Sequence, residues 1–387
     1  MSESASDVPA SHIKPRATMP EGATTLPARF YTSPRLFERE LDLFFRSNWV
    51  LAGRAEEVPR KGDYVLRDLA GDSIIVTRSG EGDQSVRAFY NVCRHRGTRL
   101  CTAASGHFAG SIQCPYHSWT YDLSGQLIGA PHMDGTEGFD RAGIRLNTIA
   151  AEVWDGFIFV NLSEESDPLA DHLGALPDKF AAWEMGRLRR GGRIVYEIAA
   201  NWKLLIQNFN ECLHCPNVHP ALNTLSHYMS GENEPLRRTY MGGRMDLRPG
   251  IVTMSMDGSC PRDLLPGLSD AQKRGVYYYA IFPNLFLSLH PDYVMVHRTE
   301  PLAADRTRLT CEFLFAPEEL AKPGFDIADV VEFWDMTNKQ DWHVCELSQQ
   351  GISSRGYQPG PYSNREDLLY AFDQFITVVL GEDRNQA

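Results

Sequence analysis

Long apolar runs are missing from this chain. No stretch approaches the roughly 18–20 consecutive apolar residues that a membrane-spanning helix requires, so no such helix is expected. Basic residues are in deficit, with 38 Lys and Arg against 50 Asp and Glu and a net charge of -12. Such a balance repels phosphate backbones, which argues against a nucleic-acid partner. There is no G-x-G-x-x-G opening a helix after a strand, so the chain offers no nicotinamide or flavin site of its own. Internal repeats are absent. The first 28 residues are rich in Ser, Pro and Ala and lack the apolar core of a signal peptide, which predicts a loose tail and a cytoplasmic protein. In that reducing compartment the eight cysteines should stay free or bind metal, and their spacing is not that of a small secreted disulfide scaffold.

What remains is a chain of 387 residues, 43% hydrophobic, long enough for two domains. "SPRLFERELDLFFRSNW" predicts an amphipathic helix, with Ser33 as N-cap, Pro34 at its first position and Phe37, Leu41, Phe44 and Phe45 on one stripe. From Val50 to about Val160, short β-branched or aromatic runs separated by turn residues predict a small all-β domain. The rest mixes strands with helices at about 201–215, 326–348 and 363–380, which makes an α+β domain. Ser363 and Glu366 make a capping box for the last helix, and Gly381 sits at its C-cap.

Two clusters of metal-ligating residues stand out. In "CRHRGTRLCTAASGHFAGSIQCPYHSW", Cys93 and His95 lie two apart and Cys114 and His117 three apart, with 18 residues, 96–113, between the pairs. Two facing loops could hold one centre. A structural zinc takes such a set, although C-x-H is an unusual first pair for a zinc finger. A [2Fe-2S] cluster with two Cys on one iron and two His on the other takes it too, and neutral imidazoles in place of thiolates raise its potential. The turn "DLSG", Asp122 to Gly125, follows as a hairpin reversal. Cys101 and His107 lie inside the gap and read as bystanders.

The second cluster is "NWKLLIQNFNECLHCPNVHP", Asn201 to Pro220. Glu211 and His214 share a face of an ideal helix, but His219 is rotated from His214 by about 140°, so a regular helix would not converge the imidazoles. Pro216 between them could bend the chain and bring them together. A carboxylate is the natural third ligand. Ile327, Val330, Trp334, Thr337, Asp341, Val344 and Ser348 follow one helical stripe, so Asp341 points toward the core, where a buried unpaired carboxylate is costly and an ion is a fitting partner. The plainer alternatives are that Asp341 pairs with a buried Arg or is solvated. His214, His219 and Asp341 together would make a two-His-one-carboxylate triad with open positions on Fe(II).

The motif C-x-H-x(15–18)-C-x-x-H in its β-rich surroundings, followed by the second cluster, resembles the α subunits of Rieske non-haem iron oxygenases over nearly the whole chain, from "RFYTSPRLFERELDLFFRSNW" through "FPNLFLSLHPDYVMVHRTEP" to "QDWHVCELSQQG". The fold this resemblance implies is α+β: an all-β Rieske [2Fe-2S] domain inserted near the N-terminus of a helix-grip (START-like) α/β catalytic domain with an antiparallel sheet. The corresponding boundaries are a tail at 1–28, a helix of the catalytic domain at 29–47, the Rieske domain at 48–160 and the mononuclear iron domain at 161–387. It implies that Cys93, His95, Cys114 and His117 hold the cluster and that His214, His219 and Asp341 hold the mononuclear Fe(II), with Asp335 as the fallback third ligand. It also implies that Glu211 links a cluster histidine of one subunit, His117, to the iron histidine His214 of the next in a homotrimer or a multiple of it. Dioxygen and two electrons from NAD(P)H, delivered by a separate flavin/iron-sulfur reductase that the acidic surface helps to dock, complete the implied reaction.

"FPNLFLSLHPDYVMVHR" and "DWHVCELSQQG" look more like the branch that oxidises quaternary ammonium compounds such as glycine betaine, choline or stachydrine than the arene dioxygenases. A cation of that kind would want an aromatic cage, for which Tyr277, Tyr278, Tyr279, Phe282, Phe286 and Trp334 are available. Hydroxylation or dihydroxylation of an aromatic acid is the alternative. From other classes, an electron carrier would leave the second cluster idle, and a zinc-stabilised binding protein would be colourless.

Overall fold

A computed structural model describes residues 19–383, which divide into two compact units. One runs from Phe44 to Pro177; the other joins the chain before it to everything from Asp178 onward. The expected tail lies outside the described residues as far as residue 18. From there on it is not loose: Leu26 is buried, Thr25 donates its N–H to the Gly360 carbonyl, and Tyr362 donates to that of Ala23.

The inserted unit is all β. Its seven-stranded antiparallel sheet runs Val50–Arg54, Phe157–Asn161, Thr148–Trp154, Val86–Tyr90, Asp72–Arg78, Asp63–Leu69 and Ser105–His107 across the sheet. A second sheet of three short strands, Ser111–Gln113, Thr120–Asp122 and Leu127–Gly129, carries the other half. The turn between its last two strands is built as expected. The Asp122 carboxylate accepts from the N–H groups of Ser124 and Gln126, and Gly125 takes φ +88°. The unit continues past the last strand to Pro177, because Trp49 donates to the Asp167 carbonyl and the Leu169 N–H to Glu152.

The larger unit is built on a seven-stranded antiparallel sheet ordered Arg189–Ile198, Arg306–Phe315, Val294–Ala303, Leu285–Leu289, Gly275–Ile281, Tyr240–Asp246 and Glu232–Glu234. Its central strands are buried along nearly their whole length, so both faces are covered. The helix of 25 residues Ala328–Ile352 packs against it and against the helix Trp202–Phe209. Ser33 caps the early helix Pro34–Glu40 as expected, accepting from the Leu36 N–H, and Leu41–Arg46 continues it with π-type pairing. The last helix, Asp367–Leu380, starts later than the capping box suggests. Glu366 does reach back to the Ser363 N–H, and Gly381 closes the end at φ +61°. Among the described residues no helix is long and apolar enough to cross a membrane.

Candidate active site

The four residues expected to hold the cluster, Cys93, His95, Cys114 and His117, sit at the tips of two turns of the same construction. In each, the N–H four residues on bonds back to the cysteine carbonyl, Gly97 to Cys93 and Ser118 to Cys114. Both turns end in the left-handed region, at φ +73° for Gly97 and +59° for Ser118. The two thiols are buried, whereas His95 is exposed and His117 half-buried, with ring centroids 4.8 Å apart. His95 stacks on Trp119 at 4.7 Å, which holds its ring. Burial pushes the Cys93 thiol up, so a thiolate there needs a positive partner. The Tyr121 hydroxyl lies 3.4 Å from Cys93 Sγ and accepts from the Arg94 N–H. The donor set of two buried sulfurs and two outward imidazoles fits a cluster with chemically different irons. Cys101 and His107 are engaged elsewhere, His107 with Asp63 at 2.9 Å and Cys101 through its carbonyl with the Asn91 amide.

In the larger unit, one ligand atom from each of His214, His219 and Asp341 lies within 4.8 Å of the others. The chain achieves this without a continuous helix. The helix begun at Trp202 ends at Phe209, not near 215. A loop carries Glu211 to His214, and a short helix, Cys215–Val218, follows. Pro216 opens that short helix rather than bending it. The break falls at His219, at φ -123° and ψ 64°, because a residue before proline, here Pro220, is driven out of helical conformation. Cys212 and Cys215 are joined in a disulfide, which corrects the expectation of free thiols throughout. Three residues apart around a tight turn, their Cα atoms are 5.1 Å from one another, within bridging range.

Each histidine is fixed through its Nδ1. His214 Nδ1–H donates to Glu211 Oε1 at 2.5 Å, and His219 Nδ1–H to Gln340 Oε1 at 2.8 Å. Both Nε2 atoms therefore face Asp341 Oδ1, at 3.3 Å from His214 and 2.7 Å from His219. This is the arrangement that orients imidazoles for a metal. Without a metal, His214 holds a proton beside an ionised Asp341. Burial alone would depress the His214 imidazole, but its bonds to Asp341 and Glu211 outweigh burial and raise it to about 10. For Asp341 burial opposes ionisation, and the two histidines overcome it and hold the carboxyl below its usual range. A divalent ion displaces that proton and adds one positive charge, which the carboxylates of Asp341 and Glu211 together balance, so the residues fit a mononuclear iron. Asp335 is occupied by Tyr196 at 2.9 Å and Lys339 at 2.6 Å and takes no part.

The stripe that pointed to Asp341 is followed as far as Thr337. Beyond it the buried face shifts by one residue to Trp342, Cys345 and Gln349, leaving Ser348 exposed. Asp341 thus stands at the edge of the packed face, with its side chain 17% exposed, where it can reach an ion.

A cavity opens on this triad, lined by Phe209, Tyr278, Trp334, Trp342 and His297 among others. Of the expected aromatic residues only Tyr278 and Trp334 reach it. Tyr277 and Tyr279 flank Tyr278 in the strand and so face the other side, where Tyr277 meets Trp183 and Tyr279 meets Phe180. Phe282 packs on Phe372 and Phe375, and Phe286 lies behind Phe209, stacked at 4.8 Å. Phe209, Trp342, His297 and Gln340 escaped the sequence reading, although Gln340 and Trp342 flank Asp341 directly.

Comparison with known proteins decides the family. Residues 48–142 match the Rieske [2Fe-2S] domain, and residues 185–382 match the catalytic domain of the ring hydroxylating alpha subunit. The chain is a Rieske non-haem iron oxygenase α subunit. The oxygenase is 34% identical to the glycine betaine monooxygenase oxygenase subunit of Chromohalobacter salexigens, covering 89% of this chain and 82% of that one. It is 30% identical to the carnitine monooxygenase oxygenase subunit of Acinetobacter baumannii, covering 88% of each. Among solved structures it resembles a quaternary ammonium Rieske monooxygenase in complex with L-carnitine, at 25% identity and TM-score 0.74 over 91% of this chain and 95% of that one. The oxygenase is thus α+β, as its relatives are, with a Rieske cluster and a mononuclear iron as cofactors and a separate reductase as electron source. The zinc-protein and electron-carrier alternatives fall with this assignment.

Proposed function

We propose that the oxygenase monooxygenates a quaternary ammonium compound of the betaine type, releasing one N-methyl group. The observation that carries the reading is the make-up of the cavity. Among the described residues no Lys or Arg lines it, and Phe209, Tyr278 and Trp334 supply aromatic surface. A trimethylammonium group gains from that surface. An aromatic acid, the alternative substrate, would bring no cation to these rings. The relatives named for glycine betaine and carnitine support the same reading.

In this reading Cys93, His95, Cys114 and His117 hold the cluster, and His214, His219 and Asp341 hold the iron. The two centres together supply single-electron transfer and activation of dioxygen. The chain's own residues do the rest. Glu211 and Gln340 hold the imidazole rings, and Glu211, bonded to His214 Nδ1 on the side away from the iron, serves as the acceptor for the cluster histidine His117 of a neighbouring subunit. The aromatic wall excludes water from the reacting methyl group. We assign a trimer on this basis, in the cytoplasm beside an NAD(P)H-dependent reductase.

The test is to purify the protein anaerobically, measure its metals, and follow oxygen uptake and formaldehyde release with betaines and with aromatic acids in the presence of a reductase. About three irons and two sulfides per chain, with formaldehyde formed from a betaine, support the reading. Turnover of aromatic acids alone overturns it.

A further inference from the structure

His297 lies within the strand Val294–Ala303, paired on either side with Phe286 and Cys311. It is 2% exposed and meets the rings of Phe209, Phe286 and Trp342 at 6.1–6.2 Å. Yet it lines the cavity, and neither of its ring nitrogens has a partner at hydrogen-bond geometry, the Asn338 side chain being the nearest polar neighbour. Trp342 repeats the anomaly. Its indole nitrogen is buried without an acceptor, and it lines the same cavity in the position directly after Asp341. A buried donor left unmade is costly, and it is retained where a ligand completes it.

The donors are of the right kind for one end of a zwitterion. Burial depresses the His297 imidazole to about 4 against the smaller opposing pull of Asp341 and Asn338, so at neutral pH the ring is uncharged and keeps one N–H. Trp342 can only donate. The cationic end of the substrate suits the rings of Phe209, Tyr278 and Trp334, so an anionic group on it finds its donors at His297 and Trp342.

We infer that His297 and Trp342 form an anchor for the substrate carboxylate, each donating one N–H, and so decide which trimethylammonium compounds the oxygenase accepts. The inference rests on the quaternary ammonium reading and narrows it to carboxylated members. With the carboxylate held, one methyl group is presented to the triad. A compound without an acceptor leaves both donors unpaired and binds weakly, the asymmetry by which a polar site rejects an analogue lacking the matching group.

The experiment uses the full oxygenase with its metals and a reductase, and a series of glycine betaine, γ-butyrobetaine, choline and propyltrimethylammonium. Dissociation constants are measured by calorimetry, alongside KM and kcat, for the wild type, His297→Leu, His297→Gln and Trp342→Phe. Trp342→Phe keeps an aromatic ring and removes only the donor; His297→Gln keeps a donor. Iron and sulfide contents report whether each variant folds. His297→Leu and Trp342→Phe should weaken the two carboxylated compounds roughly ten- to a hundredfold more than propyltrimethylammonium, mostly in Kd and KM, with His297→Gln recovering much of the loss. Equal losses across the series, or unchanged binding of the carboxylated compounds, would overturn the anchor while leaving the proposed reaction in place. A wild type that turns over no member overturns that reaction, and the anchor with it.

Discussion

Glu211 touches the mononuclear site through one hydrogen bond to His214 and a second to the Leu213 N–H that closes its own loop. Glu211→Gln keeps the shape and removes the charge. If Glu211 serves as the electron bridge, the variant should keep its iron and its cluster spectrum and lose turnover by roughly ten- to a hundredfold. Loss of iron instead would make Glu211 only a support for His214. The same triad gives a pH dependence to metal uptake. In the metal-free protein the His214 imidazole, raised to about 10, holds a proton that the ion must displace. Affinity for Fe(II) should therefore climb with pH, by about tenfold per unit between 6.5 and 8, because one proton is released per ion bound. Anaerobic titration at both pH values checks this, and a flat profile would show that His214 is already neutral. These partners also mark what a sequence reveals. Cys93, His95, Cys114 and His117 were legible as a candidate set because each pair comes from one turn, where spacing is geometry. Gln340 was not, since only the fold brings it to His219.

At the scale of elements, periodicity carried the reading as far as regular structure lasts. Val330, Trp334 and Thr337 are buried as their spacing demands, but the long helix turns its C-terminal face to a different neighbour and the stripe slips to Trp342 and Cys345. In the strand Gly275–Ile281 alternation separates Tyr278 from Tyr277 and Tyr279, a division the run of three tyrosines conceals until the buried face is known. The helices at Pro34–Glu40 and Trp202–Phe209 meet through a device that composition could not disclose. Lys203 and Glu40, 0% and 1% exposed, pair at 2.6 Å, and the Trp202 indole donates to the second Glu40 oxygen at 2.7 Å. Glu40→Ala strands a buried ammonium and an indole donor, so unfolding in urea should show a loss of about 3–5 kcal/mol. Replacing the pair together, Glu40→Leu with Lys203→Met, should cost far less, because no charge is left uncompensated. Equal losses in the two would indicate that packing, not charge, holds these helices together.

For the whole molecule, the α+β class was readable because the chain changes period near Val50 and Val160, whereas the bounds were not, since the inserted unit runs from Phe44 to Pro177 and not over 48–160. The cavity was not, since Phe209, His297 and Trp342 come from a helix end, a central strand and a distant helix that only the folded sheet assembles. Cooperation between units extends the question to the oligomer. If electrons cross from the cluster of one subunit to the iron of the next, a chain with a disabled cluster and a chain with a disabled iron should complement each other. Cys93→Ser would disable the first centre and His214→Ala the second, and each alone should be inactive. Co-expressed in equal amounts and assembled at random in a head-to-tail ring, they leave about a quarter of the interfaces with a live cluster facing a live iron. Turnover near that fraction of wild type is the expected result, measured as formaldehyde per chain. No recovery, with mixed oligomers demonstrated by differential tagging, would confine the electron path to single chains and remove the argument for Glu211 as a bridge between subunits.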